Sequence, residues 1–255
     1  MTLDMAEIGI QLFTLRDLHE RPSELVRRVG DTAFRGVELY DPQFDTLADD
    51  AEQCRNALDE TGIEVVGGHV RIERLETELG ETLSTCRTLD VGRLVIPTYE
   101  QTAFASEAGI EEAATRLATL SDELATENVE LLYHNHTFEF DAVDGRPAIE
   151  SFAEEAGDSF RFEPDTGLAC HAGYDPLALL QQVGERAPLV HLTDTRLDGD
   201  ETLHVDPGRG IVDLEACIDI ARQNGAEWLI YENGRTETPV ESLDYSAKRF
   251  AEFVE

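Results

Sequence analysis

Lysine is almost absent from this sequence, since Lys248 is the only one among 255 residues. Basic residues are scarce altogether: 20 arginines and lysines stand against 54 aspartates and glutamates, a formal net charge of −34. So negative a protein repels nucleic acids and anionic membrane surfaces, and we expect neither as a partner. An acidic, lysine-poor surface is typical of proteins from salt-loving organisms, where dissolved ions screen self-repulsion. We therefore expect a halophilic protein; the alternative is an acidic protein with no such adaptation.

Long hydrophobic runs and paired cysteines are also missing. No apolar segment approaches the roughly eighteen residues that span a bilayer. The N-terminal segment MTLDMAEIG lacks the basic and apolar regions of a signal peptide. The four cysteines are widely separated and form no CxxC pair, so we expect reduced, mostly buried thiols: Cys54, Cys86, Cys170 and Cys217. These absences predict a cytoplasmic protein.

Short apolar segments recur along the chain, and each stops at a polar or turn-forming residue. The stops fall at positions 11, 38, 69, 97, 134, 165, 191 and 232, with gaps of 26 to 41 residues. Each gap is about one strand and one crossover helix long. Eight such units in 255 residues predict an α/β protein with one domain, residues 1–255, folded as a (β/α)8 TIM barrel.

The spacing also predicts individual elements between the strands. Helical patterns cover residues 46–60, 73–89 and 110–128, and residues 137–144 are predicted to form a small extension or hairpin after the fifth strand. Asp175 and Asp213 are placed where they would cap the starts of two later helices.

The segment VELLYHNHTFEF, residues 129–140, carries the strongest functional signal. Side chains alternate along a strand, so His134 and His136 share one face while Tyr133 and Asn135 share the other. Two imidazoles on one face at the end of a buried strand can reach the same point beyond it. In a parallel barrel the carboxyl ends of all strands converge on that point, where the chemistry takes place.

One ligand-type residue stands at the end of each of the last four barrel strands. A mixed nitrogen and oxygen set suits Mn²⁺, Co²⁺ or Zn²⁺ better than Mg²⁺, so we expect a divalent metal ion held by His134, Asp165, His191 and Glu232. Each residue also has a structural interpretation: Asp165 as a turn residue, Glu232 as a solvated loop charge. For His69 or His204 taken alone, a hydrogen-bonded structural role is the more common one.

Three further features leave alternatives open. Glu139 and Arg196 are candidates for the site, although each is also consistent with an exposed loop charge. If the loop after the fifth strand folds inward, Glu139 could displace His134 as the ligand from that strand. The segment Gly208-Arg209-Gly210 suggests either a phosphate-binding loop or a tight turn that leads into the next helix.

Motifs distributed over nearly the whole chain are similar to those of the xylose isomerase-like TIM barrels, a broad family of sugar phosphate isomerases and epimerases. They are Gly9-Ile10-Gln11-Leu12-Phe13 with Arg16-Asp17, Gly36-Val37-Glu38, Tyr133-His134-Asn135-His136 with Glu139-Phe140, Asp165-Thr166-Gly167 with Gly173 and Asp175-Pro176, His191-Leu192-Thr193-Asp194, Gly208–Gly210 and Glu232.

The resemblance implies one metal ion held at the ends of strands five to eight, usually by glutamate, aspartate, histidine and glutamate. His134 stands in the first glutamate's place, and Leu168 stands where many members have a histidine, so a symmetrical mechanism with two glutamates is not expected. Glu232 is the expected base, with His136 or His69 as the opposing acid. Gln11, Glu38 and Asn135 are assigned to substrate binding.

The resemblance implies a metal-dependent isomerase or epimerase of a sugar or keto-sugar, which removes a proton next to a carbonyl and forms an enediolate. A lyase or dehydratase is the first alternative, because the run from Tyr133 to His136 resembles the fifth-strand motif of inosose dehydratases. A non-catalytic sugar-binding barrel is the second. The net charge opposes the family's DNA-repair branch. The expected partner is a small-molecule sugar, with a homo-oligomer as a possibility.

Overall fold

The computed structural model describes residues 6–199 and 202–254. Its strands are β1 Glu7–Gln11, β2 Gly36–Tyr40, β3 Glu64–His69, β4 Arg93–Ile96, β5 Glu130–His134, β6 Ala142–Val143, β7 Arg146–Pro147, β8 Arg161–Glu163, β9 Leu189–His191 and β10 Trp228–Tyr231. Its α-helices are α1 Pro22–Gly30, α2 Asp41–Thr61, α3 Ile72–Thr77, α4 Leu79–Leu89, α5 Glu107–Ala125, α6 Ala148–Ala156, α7 Thr166–His171, α8 Pro176–Val183, α9 Leu214–Gln223 and α10 Pro239–Val254. Short 3-10 helices cover Leu12–Leu18, Gln101–Ala105, Phe138–Phe140 and Gly184–Arg186.

Eight parallel strands form one sheet in the order β8-β5-β4-β3-β2-β1-β10-β9. The two edge strands meet just beyond their carboxyl ends, where the His191 amide donates to the Pro164 carbonyl at 3.0 Å and Asp165 forms a parallel bridge with His191. The sheet therefore curls into a nearly closed barrel surrounded by helices. The predicted (β/α)8 fold is confirmed.

The interior of the barrel is divided along its axis. Its lower part is an apolar plug, made by Val66, Val95, Leu132, Leu189, Trp228 and Ile230. Gly36 makes room for this plug, because a Cβ at that position would lie 2.5 Å from Val66 Cγ1 and 2.7 Å from the Trp228 ring. Two residues further along β5 and β9 the inward side chain is polar: His134 follows Leu132, and His191 follows Leu189. Most of the remaining apolar core lies between strands and helices.

Several boundaries differ from the predicted ones for local reasons. Helix α2 begins at Asp41 rather than at residue 46, because Gln43 Oε1 accepts from the Tyr40 amide at 3.1 Å and Pro42 suits the first turn. The helix predicted at 73–89 is interrupted at Glu78, whose φ of −130° lies outside the helical range. Helix α5 starts at Glu107, where the Ser106 hydroxyl caps the Gly109 amide at 3.2 Å.

Other local predictions are confirmed. Strands β6 and β7 form the small antiparallel hairpin expected after β5, and its turn places Asp144 and Gly145 at positive φ. Asp175 and Asp213 cap α8 and α9. All four cysteines are free thiols, and three of them are buried. Within the described residues, no helix combines the length and apolarity needed to cross a membrane.

Candidate active site

The polar upper part of the barrel contains seven ionisable side chains from six strand ends. All are at most 8 % exposed: Glu38, His69, His134, Glu163, Asp165, His191 and Glu232. Above them opens a cavity of about 450 Å³, whose wall includes His69, His134, His136, His204 and Glu232. Burial of so many ionisable groups is costly unless they pair with one another or with a bound ion.

The first group of side chains, which we call the ligand cluster, consists of His134, Asp165, His191 and Glu232. One nitrogen or oxygen atom from each residue lies within 4.8 Å of the corresponding atoms of the others. His191 Nδ1 lies 3.2 Å from Glu232 Oε2 and 3.9 Å from Asp165 Oδ2. The fold thus brings together the four residues that the sequence predicts as metal ligands.

The second group, which we call the floor, consists of Glu38, His69 and Glu163 beneath the ligand cluster. His69 Nε2 contacts Glu163 Oε2 at 2.7 Å and Glu38 Oε2 at 3.2 Å. His191 Nε2 contacts the same two carboxylates, Glu38 at 2.8 Å and Glu163 at 3.3 Å. Glu163 is absent from the predicted site. The sequence nevertheless indicates its position, because Glu163 precedes Asp165 by two residues and side chains two apart in an extended segment face the same side.

The hydrogen bonds to the floor determine which nitrogen of His191 is free. Its Nε2 donates to Glu38 Oε2, so in the neutral ring Nδ1 carries the lone pair. Nδ1 is buried and has no hydrogen-bond partner among the described residues. The same holds for Asp165 Oδ2, although Asp165 Oδ1 accepts from the Leu168 amide at 2.7 Å and from the Thr193 hydroxyl at 2.5 Å. Two lone-pair atoms without hydrogen-bond partners among the described residues, His191 Nδ1 and Asp165 Oδ2, therefore lie 3.9 Å apart inside the ligand cluster.

The electrostatics of the ligand cluster favour a positive charge. Burial lowers the pKa of His191, but the carboxylates of Glu163, Glu232 and Glu38 outweigh burial and raise it well above the usual value. Burial raises the pKa of Glu232, but the nearby imidazoles, His191 first, bring it down to about 2. Burial and neighbouring imidazoles, His191 first, hold the pKa of His134 well below its usual value, so His134 is neutral.

The ligand cluster therefore fits a divalent metal ion. It offers two imidazoles and two carboxylates, and two of its buried polar atoms, on Asp165 and His191, have no partner among the described residues. A bound cation would satisfy both atoms, and its charge would offset that of the carboxylates. An ion of mixed nitrogen and oxygen preference matches this donor set.

The proposed acids lie in different environments. His136 lines the cavity, and its Nδ1 is buried without a partner among the described residues; burial lowers its pKa. His69 also lines the cavity, but its Nε2 is bonded to Glu163. His136 is therefore the more available of the two.

The loop after β5 folds inward, yet Glu139 does not join the ligand cluster. Glu139 is fully buried; its Oε1 accepts from the Tyr133 hydroxyl at 2.7 Å, and its Oε2 accepts from the His136 amide at 3.0 Å. Tyr133 belongs to the layer between strands and helices, where it packs on Phe104 and Phe152. The structure therefore leaves His134 as the residue that β5 contributes to the cluster.

The remaining predicted residues do not line the cavity. Gln11 and Asn135 support its walls: Gln11 Nε2 donates to Glu38 Oε2 at 2.8 Å, and Asn135 Oδ1 accepts from the Asp165 amide at 2.9 Å. Arg196 is exposed on the loop after β9, where it pairs with Asp198 at 3.3 Å.

The glycines of the Gly208–Gly210 segment form a tight turn around a buried carboxylate. The amides of Gly208, Gly210 and Val212 donate to Asp194 at 2.9, 2.7 and 3.1 Å. Gly210 packs so closely on Asp194 and Thr195 that a Cβ would overlap them. Because these donors are already satisfied by the protein, the tight turn describes the segment better than a phosphate-binding loop does.

Sequence reasoning missed part of the cavity wall. Arg16 and Arg235 both line it, and Arg16 joins two loops by donating to the Phe13 carbonyl at 2.9 Å and the Gly234 carbonyl at 2.8 Å. His204 also lines it, with Nδ1 accepting from the Gly234 amide at 3.3 Å and Nε2 lying 3.7 Å from Asp165 Oδ2. No local pattern marks the long acidic loop that carries His204 as part of the site.

Residues 25–252 match the family model described as xylose isomerase-like TIM barrel. The chain belongs to that family. No curated protein matches the chain at the sequence level. The similar proteins are solved structures, and sequence identities of 12% to 18% establish the fold alone.

Three solved structures are similar to the chain in fold. A sugar phosphate isomerase/epimerase from Parabacteroides distasonis has a TM-score of 0.78 at 18% identity, covering 98% of this chain and 96% of its own. The probable 3-DHS dehydratase AsbF from Bacillus anthracis, involved in petrobactin synthesis, has a TM-score of 0.78 at 14% identity, covering 96% and 98%. A D-tagatose 3-epimerase-like protein has a TM-score of 0.67 at 12% identity, covering 97% and 98%.

Proposed function

We propose that this protein is a metal-dependent isomerase or epimerase that acts on a sugar or keto-sugar. The observation that carries the proposal is the meeting of two imidazoles and two carboxylates at the bottom of the cavity, with His191 Nδ1 and Asp165 Oδ2 lacking partners among the described residues. Similarity to a sugar phosphate isomerase/epimerase and to a D-tagatose 3-epimerase-like protein supports the same class.

In this proposal His134, Asp165, His191 and Glu232 hold Mn²⁺, Co²⁺ or Zn²⁺. When bound, such an ion supplies positive charge that polarises the carbonyl and hydroxyl oxygens of the substrate. The side chains that line the cavity, Glu232 among them, orient the sugar and move its proton. A cavity of about 450 Å³ holds a molecule of monosaccharide size, and the apolar side chains of Phe13 and Leu168 shield part of it from water.

Glu232 is the proposed base, because its carboxylate lines the cavity and is ionised at neutral pH. It would take the proton next to the carbonyl and leave an enediolate. Returned by Glu232 to the former carbonyl carbon, while the adjacent hydroxyl proton passes to the former carbonyl oxygen, that proton completes an isomerisation. If protonated His136 instead donates to the opposite face of the original carbon, Glu232 keeps the proton that it removed and an epimerisation is complete. Because Glu139 is bonded to Tyr133, β5 offers an imidazole rather than a second carboxylate to this step.

A lyase is the second candidate, favoured because the cavity pairs one carboxylate with an imidazole rather than with a second carboxylate. One carboxylate and a facing imidazole suit an elimination, in which Glu232 removes the proton and His136 protonates the departing hydroxyl group as water. The likeness to a probable 3-DHS dehydratase supports this candidate.

The test is solvent-deuterium exchange into a panel of ketoses and aldoses, with product analysis by NMR. We expect wild-type protein loaded with Mn²⁺ or Co²⁺ to incorporate deuterium next to the carbonyl of at least one sugar. Glu232→Gln should abolish exchange, whereas Glu237→Gln, an exposed carboxylate on the same loop, should retain it. Release of water with a new double bond would establish the lyase instead. Sugar binding without exchange, unchanged in Glu232→Gln, would establish a binding barrel.

A further inference from the structure

We propose that Glu38 and Glu163 are positioning residues that fix the tautomers of His191 and His134, so that each imidazole turns an unprotonated nitrogen toward the ligand cluster. The inference rests on the proposed function only in requiring that the ligand cluster binds a cation. It assigns a role to the floor, which contains three buried ionisable groups that none of the proposed chemical steps uses.

The proton count of the floor supports this role. Two contacts in the group are short: His191 Nε2 to Glu38 Oε2 at 2.8 Å and His69 Nε2 to Glu163 Oε2 at 2.7 Å. The two crossing contacts are longer, at 3.2 and 3.3 Å. One proton on each imidazole Nε2 therefore accounts for these contacts as two charge-assisted hydrogen bonds. The contacts need no bound ion, although Glu38 Oε1 and Glu163 Oε1 are buried without hydrogen-bond partners among the described residues.

The tautomer of His134 is also fixed by a carboxylate of the floor. Its Nδ1 lies 3.2 Å from Glu163 Oε2 and is the nitrogen that donates, which leaves Nε2 with the lone pair. His134 and His191 therefore use opposite ring nitrogens against the floor, Nδ1 in one and Nε2 in the other. This alternation lets imidazoles from two different strands present a lone pair to one site.

Glu38 is itself held in place. Its Oε2 accepts from Gln11 Nε2 at 2.8 Å, and its Oε1 lies over Gly67, where a Cβ would come within 2.9 Å. Glu38 and Glu163 are completely buried, so solvent does not compete for their hydrogen bonds. A carboxylate so confined acts on the metal site through the imidazole that it orients, because the second hydrogen bond of a ligating histidine sets both its tautomer and its basicity.

The experiment measures cobalt affinity by competition with a chromophoric chelator, together with the visible absorption spectrum of the Co²⁺-loaded protein. The variants are Glu38→Gln and Glu163→Gln, which keep the side-chain shape. We expect affinity to fall about 10- to 100-fold in each, with a changed cobalt spectrum. Glu139→Gln is the matched control, since it neutralises an equally buried carboxylate whose bonds lie outside the ligand cluster. It should keep wild-type affinity and spectrum.

The outcomes separate the explanations. Wild-type affinity and spectrum in folded Glu38→Gln and Glu163→Gln would overturn the proposal, as would loss of cobalt in Glu139→Gln alone. Two cobalt ions per wild-type chain would make the floor a ligand set, and failure of the wild type to bind cobalt would overturn the proposal as well. If a glutamine variant does not fold, Glu38→Asp and Glu163→Asp, which keep the charge and shorten the reach, replace it with the same expected loss. Because the readout is metal affinity, a protein that binds cobalt normally and turns over no sugar would contradict the proposed function alone.

Discussion

Glu38 and His191 are 153 residues apart in sequence, yet Glu38 Oε2 lies 2.8 Å from His191 Nε2 at the centre of the barrel. The two strands that carry them, β2 and β9, are not neighbours in the sheet. The hydrogen bond therefore crosses the barrel interior and links the floor to the ligand cluster.

Replacement of His134 by alanine should remove the bound metal. Elemental analysis of wild-type protein purified at high salt should give about one Mn, Co or Zn per chain, and His134→Ala should give far less. His171→Ala is the control, because His171 is bonded to the Thr195 hydroxyl at 3.0 Å and is not part of the ligand cluster. A wild-type protein that holds no metal and takes up none on titration would contradict the metal site and favour the sugar-binding barrel.

Glu139→Gln should change how stability depends on pH. Burial raises the pKa of Glu139 from an ordinary 4.5 to about 7 against the opposing hydrogen bonds. As pH rises, the unfolded chain therefore releases this proton at a lower pH than the folded chain does. The contribution of the protonated Glu139 side chain to stability is full below pH 4.5 and is lost as pH rises through 7. The loss amounts to about 3 kcal/mol, which Glu139→Gln does not experience.

Urea unfolding between pH 5 and pH 8 at constant salt measures this effect as a difference between the two proteins. The free energy of unfolding of Glu139→Gln, relative to wild type, should rise with pH across that range. The exposed substitution Glu237→Gln should show no such trend. A constant difference between Glu139→Gln and wild type would mean that Glu139 is already ionised at pH 5.

Asp194→Ala should destabilise the loop that carries His204. The Asp194 carboxylate accepts from the amides of Thr195, Gly208, Gly210 and Val212, and alanine leaves these donors to water or without partners. We expect a loss of about 1–3 kcal/mol in the free energy of unfolding, measured by urea titration. Asp198→Ala, on the exposed part of the same loop, should leave it close to the wild-type value. Equal effects of the two substitutions would argue against this role.

Salt should stabilise the protein. With a net charge of −34, repulsion among surface carboxylates opposes the folded state, and the screening length falls from about 10 Å at 0.1 M salt to about 3 Å at 1 M. The urea midpoint should therefore rise steeply between 0.1 and 1 M KCl, and NaCl should act similarly. An unchanged midpoint would show that the acidic surface imposes no requirement for salt.

The ligand cluster illustrates what a sequence pattern can predict. In a barrel, a residue at the end of an apolar segment lies at the carboxyl end of a strand. The proximity of His134, Asp165, His191 and Glu232 could therefore be predicted without knowing any side-chain contact. The same reasoning could have included Glu163, which shares its face with Asp165. Residues beyond the strand ends follow no such rule, and Arg16, Arg235 and His204 were missed as parts of the cavity for that reason.

The sequence by itself determined the eight-unit barrel, the strand ends that carry ligand-type side chains and the scarcity of basic residues. Periodicity and composition can be read from the sequence without knowing any tertiary contact. Only the tertiary structure decided that Glu139 bonds Tyr133 rather than joining the ligand cluster, and that Glu38 and Glu163 lie beneath it. Those outcomes depend on which buried donor lies nearest each carboxylate. The packing of strands that are distant in sequence sets that distance, and residue spacing along the chain does not predict it.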